Sequence, residues 1–135
     1  SGEMEHEKGF QKWILIKEKI NNRTRPSFEK LDVWWCYFGC NVGIEKDGKG
    51  DNDLFLRPVI VFEVINEKHL IAIPLTKTTI IDDLRIPFYF DYDFSVADIS
   101  HIRALDSQRL FKKMGRVSFH VYGKIKKAIA SRFLQ

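Results

Sequence analysis

The stretch FLRPVIVFEVINEKHLIAIPL, residues 55–75, decides the fold that this sequence predicts. Two apolar runs within it, 55–65 and 69–75, are rich in β-branched residues and therefore predict two strands. Only Asn66-Glu67-Lys68 separates the runs, a connection short enough for an antiparallel hairpin. Because the runs are almost continuously apolar, we expect both strands to be central and well covered.

Further strands are predicted on both sides of this hairpin. Upstream, DVWWCYFGC (residues 32–40) is aromatic and β-branched, and it leads into a polar loop at 45–53. Downstream, residues 86–92 and 95–104 continue the series, joined by Asp93-Phe94. At least five short, twisted strands with turns between them predict a small barrel.

A helix is predicted near each end of the chain, packed onto the barrel. From about Glu5 to Asn21, apolar residues recur with helical spacing on a stripe formed by Phe10, Trp13, Ile14 and Ile20. Ser118 is placed to cap the start of a last helix. The face of that helix expected to pack is formed by Val121, Tyr122, Ile125, Ala128, Ile129 and Phe133. The predicted fold class is thus mainly β with flanking helices.

Length and composition favour one domain. At 135 residues the chain is long enough for a single core and too short for two ordinary domains. It has neither a run of roughly 20 apolar residues nor the basic-then-apolar order of a secretory signal, so we expect a cytoplasmic protein without a membrane partner. Cys36 and Cys40 are interpreted as reduced structural thiols, with a local disulfide as the alternative and no zinc site expected.

Basic charge is concentrated late in the chain. The formal net charge is +4, but residues 101–135 hold nine Lys or Arg and a single acidic residue, Asp106. Such a segment favours a polyanionic partner, either RNA or an acidic protein, through long-range attraction and counterion release. An ordinary solvated surface explains the charge equally well.

Four segments in a fixed order resemble the MazF/PemK family of bacterial toxins. They are DVWW (32–35) running on to NVGIEKDG (41–48), RPVIV (57–61), IPLT (73–76) and SHIRALDSQRL (100–110). The resemblance implies that residues 31–135 form an SH3-like β-barrel of the MazF, PemK and CcdB type with a C-terminal helix. Residues 1–30 would be an N-terminal helical extension and connector outside the shared domain.

The resemblance also implies a function. The family consists of toxins of type II toxin–antitoxin systems, endoribonucleases that cut single-stranded RNA such as mRNA at short sequences, with no metal or other cofactor. Their products carry a 2′,3′-cyclic phosphate and a 5′-hydroxyl. The partners implied are the RNA, a cognate antitoxin protein and a second copy of the chain in a homodimer.

Three catalytic residues are implied by the resemblance. The reaction needs a group that accepts the 2′-hydroxyl proton, donors to the charged phosphoryl oxygens and a proton for the leaving 5′-oxygen. Arg57 can bind two phosphate oxygens at once, and the resemblance implies that it could also shuttle the proton, although an arginine is a poor base. Thr76 can donate its hydroxyl to a phosphoryl oxygen or orient the attacking ribose. Glu45, where the family usually has an acidic residue, would orient Arg57 or accept the proton. From sequence alone, each is also explained as an ordinary surface, turn or loop residue.

Further residues are expected to contact RNA. They are Asn41, Lys46, Lys49, Lys77 and His101. Lysines in loops are commonly just solvated, so these assignments depend on the resemblance. The family more often has Gln at the position of His101, which either adds a titratable group near the site or packs on the strand.

A second departure from the family pattern concerns a variant of the catalytic machinery. Some PemK-like members place a catalytic Arg and Asp where this chain has Asp98 and Ser100, so that variant of the machinery is absent. The residues Arg103, Asp106 and Arg109 are interpreted as a structural ion network, with contact to RNA as the lesser alternative. Trp34 and Trp35 point to opposite faces of a strand, so at most one lies in a common core and the other stacks a base or fills a dimer interface.

The alternative to a ribonuclease is a non-catalytic barrel. SH3-like barrels serve many purposes, and related toxins bind a protein target such as gyrase, so a module that binds a protein or nucleic acid is consistent with the same fold. The presence of both Arg57 and Thr76 favours the ribonuclease.

Overall fold

The computed structural model describes residues 2–21, 24–38 and 56–134, and these form an antiparallel sheet with two helices. The predicted mainly β fold with a helix near each end is confirmed. The strands are β1 (Asp32–Tyr37), β2 (Leu56–Val64), β3 (His69–Thr76), β4 (Arg85–Phe90), β5 (Asp93–Asp98), β6 (Arg103–Asp106) and β7 (Leu110–Arg116). The helices are α1 (Gly2–Asn21) and α2 (Phe119–Phe133), and short 3₁₀ turns occupy Ile99–His101 and Ser107–Arg109.

β2 and β3 form the predicted antiparallel hairpin, and both are central in the sheet. Their register sets Val59 opposite Pro74. The side chain of Asn66 closes the turn, because its Oδ1 accepts hydrogen bonds from the backbone N–H groups of Lys68 (2.8 Å) and His69 (2.9 Å). An Asn in this role is a common way to reverse a chain.

The other edge of β3 is shared by two strands. Residues His69–Ala72 pair with β6, whereas Leu75 and Thr76 pair with β5. The 3₁₀ turn Ile99–His101 links β5 to β6 and contacts β3. This turn therefore lies beside the middle of β3, between the two ladders.

The sheet is strongly bent and open. Its order is β4-β5-β3-β2-β1-β7, with β6 attached to β3, so β4 and β7 form its two ends. The ends approach each other, since the ring of Phe90 in β4 lies against Gly115 in β7. The described strands are thus not joined into a closed ladder, although strand number alone predicts a closed barrel.

The predicted strand 95–104 is wrong as a single element. It is divided into β5 and β6 because the side chain of Asp98 accepts a hydrogen bond from the backbone N–H of Ser100 (3.1 Å) and caps a 3₁₀ turn. The turn before it lies at Asp91 and Tyr92, not at 93–94. Both residues have positive φ, 53° and 66°, as in the tight turns that match the twist of a hairpin.

β7 was not predicted from the sequence. Its residues LFKKMGR show no alternation of apolar and polar side chains, and most of them are exposed. Pairing with β1, interrupted by two register shifts, fixes this strand.

Two apolar cores lie on opposite faces of the sheet. The first core, between the sheet and α2, contains Leu31, Val33, Ile60, Ile73, Leu75, Phe88, Ala97, Ile99, Val117, Tyr122 and Ile125. The second core contains Trp34, Cys36, Phe38, Val59, Val61, Leu70, Ala72, Leu105 and Leu110. Val33 and Trp34 enter different cores, as the alternation of a strand requires. Trp34 is buried and Trp35 is half-buried, so only one of the two tryptophans joins a core cluster, as expected.

α2 begins where the sequence predicts. The hydroxyl of Ser118 accepts a hydrogen bond from the backbone N–H of Val121 (3.2 Å) and caps the helix. Tyr122 and Ile125 are buried in the first core, and most of the predicted face packs around them. Phe133 is the exception, because it lies near the end of the helix and is 58% exposed.

α1 packs through only part of the predicted stripe. Trp13, Ile16 and Ile20 face the domain, whereas Phe10 and Ile14 are 50% and 43% exposed. The apolar side chains cover too much of the helix surface for spacing alone to select the packed face. Among the residues described, no helix combines the length and the apolarity needed to cross a bilayer.

Asp32 anchors the connector between α1 and β1. Its buried carboxylate Oδ2 accepts hydrogen bonds from the Trp34 indole (3.1 Å) and the backbone N–H of Glu29 (2.8 Å). Its Oδ1 lies 3.4 Å from Nζ of Lys113 and 3.6 Å from Nε of Arg116, both on β7. One carboxylate thus ties the start of β1 to the second core and to β7.

We expect Asp32→Ala to lower the free energy of unfolding by about 2–4 kcal/mol, because it removes the hydrogen-bond acceptor of the buried Trp34 indole N–H and of the backbone N–H of Glu29. Urea denaturation measures this. The matched control is Asp93→Ala, whose carboxylate is 80% exposed and pairs with Lys77, and we expect its effect to stay within about 0.5 kcal/mol. Equal effects of the two substitutions would contradict the anchoring role.

Candidate functional site

The β2–β3 register brings Arg57 next to Thr76. Val59 lies opposite Pro74, and continuing this register by two residues sets Arg57 opposite Thr76. Directly opposite residues in an antiparallel pair project from the same face of the sheet. β1 also pairs Cys36, a residue of the second core, with Arg57. Arg57 and Thr76 therefore lie on the second-core face, at its border.

The guanidinium of Arg57 packs against an aromatic ring and the end of β3. Its Nη2 donates to the carbonyl oxygen of Leu75 at 3.5 Å, and its Cζ lies 6.0 Å from the ring centroid of Phe38. The Cζ of Arg103 lies 5.3 Å from the same centroid. One buried ring thus contacts two guanidinium groups, an arrangement that stabilises positive charge through the electron-rich ring face.

Arg109 adds a third guanidinium to this face. Its Nη1 donates to the carbonyl oxygen of Tyr37 at 3.3 Å, and its Cζ lies 5.3 Å from the ring centroid of Trp13 in α1. Burial lowers the pKa of Arg109, and the charge of Arg103 lowers it further. An anion bound here would relieve the repulsion between these charges. We refer to Arg57, Arg103 and Arg109 as the arginine cluster.

Cys36 lies beneath the arginine cluster and is chemically inert. Burial raises the pKa of its thiol to about 12, although the charges of Arg109 and Arg103 act in the opposite direction. The thiol is therefore protonated at neutral pH and is a poor nucleophile or metal ligand. Cys36 is a free thiol, as expected, and Cys40 lies outside the described residues. The residues described include no group of three or more His, Cys, Asp or Glu arranged to hold a metal ion.

The hydroxyl of Thr76 accepts one hydrogen bond within the protein and can still donate one. Its Oγ1 accepts a hydrogen bond from the backbone N–H of Thr78 at 3.4 Å, the turn-capping role expected for a threonine at the end of a strand. A hydroxyl that accepts a hydrogen bond still has its own hydrogen to donate. Thr76 can therefore cap the turn and donate to a ligand at the same time.

The structure describes only some of the predicted site residues. The Nζ of Lys77 donates to the carbonyl oxygen of Phe94 at 2.6 Å and lies 3.4 Å from the carboxylate of Asp93, so this exposed lysine ties the end of β3 to β5. The predicted residues that fall outside the described ranges are Glu45, Asn41, Lys46 and Lys49.

His101 belongs to a polar cluster with Asp98 and Ser100. Its Nδ1 lies 2.8 Å from Oδ2 of Asp98 and 3.1 Å from Oγ of Ser100, and that Oγ also donates to Oδ1 of Asp98. Burial by itself raises the pKa of Asp98, but the hydrogen bonds from Ser100 and His101 outweigh it and bring the pKa below its ordinary value. Asp98 is thus an ionised acceptor at neutral pH.

The basic residues of segment 101–135 do not form one surface. Arg103 and Arg109 join the arginine cluster on the second-core face, whereas α2 and its lysines pack over the first core, on the other side of the sheet. Asp106 pairs with Arg25 at 2.5 Å, while the guanidinium groups of Arg103 and Arg109 lie over aromatic rings. The predicted ion network among Arg103, Asp106 and Arg109 is therefore wrong, because Asp106 pairs with Arg25 instead.

Sequence reasoning missed the place of Arg103 and Phe38 in this site. Phe38 follows Trp34 and Cys36 at alternate positions of β1, so strand periodicity already assigns it to their face. Arg103 precedes Leu105 of the second core by two residues, which gives the same signal. What the sequence lacked was the pairing of β6 with β3, which sets Arg103 opposite Ala72.

Comparison with solved structures shows the fold of MazF. The crystal structure of MazF (form I) from Deinococcus radiodurans superimposes with a TM-score of 0.62 and 16% identity, covering 84% of this chain and 100% of that one. An endoribonuclease from a mycobacterial species gives a TM-score of 0.57 at 16% identity, over 81% and 93% of the two chains. A mycobacterial endoribonuclease in complex with its cognate antitoxin gives 0.53 at 18% identity, over 78% and 92%.

The family follows from the sequence match. The model for the PemK-like, MazF-like toxin of type II toxin–antitoxin systems matches residues 29–133. The match covers most of the chain, and the chain therefore belongs to this toxin family. No curated protein sequence matches it.

We expect Arg103→Ala to weaken the binding of a single-stranded DNA oligonucleotide, because it removes one cation from the arginine cluster. For a single strand, each phosphate contact contributes about 0.7 to the slope of log K against log salt concentration, so the slope should fall by about this amount. Fluorescence anisotropy at several salt concentrations measures it. The control is Arg132→Ala, which removes an arginine that pairs with Asp83 at 2.7 Å, away from the cluster. An equal change in both variants would mean that binding follows net charge only.

Proposed function

We propose that this chain is the toxin of a type II toxin–antitoxin system and acts as a metal-independent, sequence-specific endoribonuclease on single-stranded RNA. Cleavage would leave a 2′,3′-cyclic phosphate and a 5′-hydroxyl. The observation that carries the proposal is the position of Arg57 opposite Thr76, beside Arg103 and the ring of Phe38. Membership of the toxin family and the fold shared with two mycobacterial endoribonucleases support it.

Arg57 is proposed to hold the scissile phosphate. A guanidinium presents several N–H donors in a planar fork, which matches two phosphoryl oxygens. As the 2′-oxygen attacks phosphorus, negative charge grows on those oxygens, and a donor already in place stabilises it without reorganisation. The contact with Phe38 and the hydrogen bond to the Leu75 carbonyl hold the Arg57 guanidinium in place.

Thr76 is proposed to donate its hydroxyl to the same phosphoryl group. The hydrogen bond from the backbone of Thr78 orients the hydroxyl, because Oγ1 must point one lone pair toward that N–H. Its hydrogen is then directed away from the turn. Guanidinium and hydroxyl donors together perform the charge neutralisation that metal ions perform in other nucleases.

Recognition of the RNA would extend along the second-core face. Arg103 and Arg109 add positive charge next to Arg57, and His101 and Lys77 lie toward β5. We assign Glu45 to the orientation of Arg57, and Asn41, Lys46 and Lys49 to contacts with RNA phosphates. These assignments extend the resemblance to the family.

The proposed partners are an antitoxin and a second copy of the chain, in the cytoplasm. One solved structure that shares this fold contains an endoribonuclease with its cognate antitoxin. An acidic, amphipathic segment would complement the arginine cluster and the exposed apolar residues Phe10 and Ile14 of α1. An anionic antitoxin and RNA would compete for the same cations. This competition would explain how the antitoxin inhibits RNA cleavage.

We expect wild-type protein to cut a long single-stranded RNA in the presence of EDTA. Arg57→Ala and Thr76→Val should each reduce the rate by about 10²-fold or more, because each removes a donor to the transition state. Gel analysis with end-group mapping measures the rate and identifies the cyclic phosphate.

Matched controls separate this site from general effects of substitution. Arg132→Ala and Thr79→Val replace exposed residues of the same two types, and we expect wild-type rates from both. If RNA of varied sequence stays intact, or if the Arg57 and Thr76 variants cut as fast as the controls, the chain is better described as a binding module.

We expect the product of the adjacent gene to bind this chain and to block cleavage when present in equimolar amount. Since the contact is between opposite charges, affinity should fall as salt concentration rises. Isothermal titration calorimetry with wild-type protein and Arg103→Ala measures the affinity at each salt concentration. The RNA cleavage assay measures the block. Absence of any interaction would count against a toxin–antitoxin pair.

A further inference from the structure

The paired residues Arg57 and Thr76 supply donors but no effective base. An arginine stays protonated in proteins, and a threonine hydroxyl does not take up a proton near neutral pH. RNA cleavage through the 2′-hydroxyl nevertheless requires a group that removes its proton. On the described part of the same face, the group best suited to this role is an imidazole.

We propose that His101, oriented by Asp98, is the general base of the RNA cleavage reaction. The inference rests on the proposed ribonuclease function and deepens it, since it assigns the proton transfer at that site. His101 touches the reacting hydroxyl and is the catalytic residue, whereas Asp98 acts through His101 and is a positioning residue.

The contacts of His101 determine which nitrogen is reactive. Nδ1 lies 2.8 Å from the ionised carboxylate of Asp98, so it carries the proton and donates it to that carboxylate. In the neutral imidazole the Nε2 lone pair is then the proton acceptor. Within the described residues no hydrogen bond is made to Nε2, and the side chain is 30% exposed. Nε2 is thus accessible to a ligand.

Strand register places this pair on the same face as the arginine and threonine. β5 pairs Val96 with Thr76, and Asp98 follows Val96 by two residues, so Asp98 and Thr76 project from the same face. Arg57, opposite Thr76, lies on the next strand. With strands about 5 Å apart and an offset of two residues along the strand, roughly 12 Å separates the backbones of Asp98 and Arg57. This gap can hold a phosphate and its ribose between the two side chains.

Charged groups on three strands lie near the pair formed by Asp98 and His101. From β5, Asp98 faces His101 directly; from β4, Arg85 lies across the ladder from Asp98; and from β6, Arg103 follows two residues later. The pairing positions on β3 nearest the turn, Ile73 and Pro74, carry no charge. The two arginines oppose the accumulation of positive charge, while Asp98 stabilises the imidazolium that forms during the reaction.

The proton transfer balances as follows. Nε2 of neutral His101 takes the proton of the 2′-hydroxyl while the 2′-oxygen forms a bond to phosphorus, and the bond from phosphorus to the 5′-oxygen breaks. The 5′-oxygen takes a proton from water, and the imidazolium returns its proton to water. The products are the 2′,3′-cyclic phosphate and a 5′-hydroxyl, with no net proton consumed.

The test compares pH profiles of RNA cleavage for wild type and His101→Gln. The wild-type rate should fall at acidic pH, because only a neutral imidazole can accept the 2′-hydroxyl proton. His101→Gln should lower kcat/KM by about 10²-fold or more at neutral pH and should lose this acid limb.

Two further variants distinguish a role of Asp98 in orienting His101 from a general effect of substitution on the fold. Asp98→Asn should reduce kcat by about 10-fold or more with little change in KM, because a neutral amide no longer stabilises the imidazolium that forms during the reaction. His120→Gln, an exposed histidine on α2, is the control and should behave as wild type. Thermal unfolding of each variant shows whether a loss of rate reflects loss of fold.

The outcomes distinguish this inference from the proposed function. If wild type does not cut RNA, the proposed function fails and the inference fails with it. If wild type cuts RNA and folded His101→Gln retains its rate and acid limb, the ribonuclease stands and His101 is not the base. Loss of rate with an unchanged acid limb in His101→Gln would likewise overturn the assignment.

Discussion

The register between β2 and β3 is the constraint on which the rest of the structure depends. Side chains of a strand alternate between faces, so a shift of one residue would turn every core side chain outward. With Val59 opposite Pro74, Ile60 and Ile73 enter the first core, while Val59 itself enters the second. Burial of each such side chain contributes about 1.5–3 kcal/mol, and the same pairing sets Arg57 opposite Thr76. The stability of the two cores thus maintains the geometry of the site.

Specific contacts stabilise the guanidinium groups of the arginine cluster at the edge of an apolar core. The rings of Phe38 and Trp13 pack against the guanidinium groups, and carbonyl oxygens of Leu75 and Tyr37 accept hydrogen bonds from them. The pKa of Arg109 is lowered by its burial and by the charge of Arg103, and the contacts around it do not fully offset these two effects. A surface in this state favours an anionic ligand, and α1 contributes to it through Trp13. The helical extension therefore belongs to the electrostatics of the site as well as to its packing.

Local sequence was sufficient for much of the fold. Alternation, turn chemistry and helix capping act between residues close in the chain, so the β2–β3 hairpin and the capping role of Ser118 were predictable. The resemblance to a family pointed to Arg57 and Thr76. The division of 95–104 was not predicted, although its cause is local, because the capping side chain of Asp98 also fits an uninterrupted strand.

The sequence by itself determined most of the elements and the alternation of strand faces, and its resemblance to a family pointed to residues that could bind a phosphate. Only the tertiary structure decided which of these residues meet. The edge of β3 is shared by β5 and β6, and this topology places Asp98 and His101 on one side of Thr76 and Arg103 above Phe38. It also selects Ile16, rather than Ile14, as the packed side chain of α1. The physical reason is that pairing between distant strands, and the docking of a helix with apolar residues on several sides, depend on surfaces that exist only once the sheet has formed.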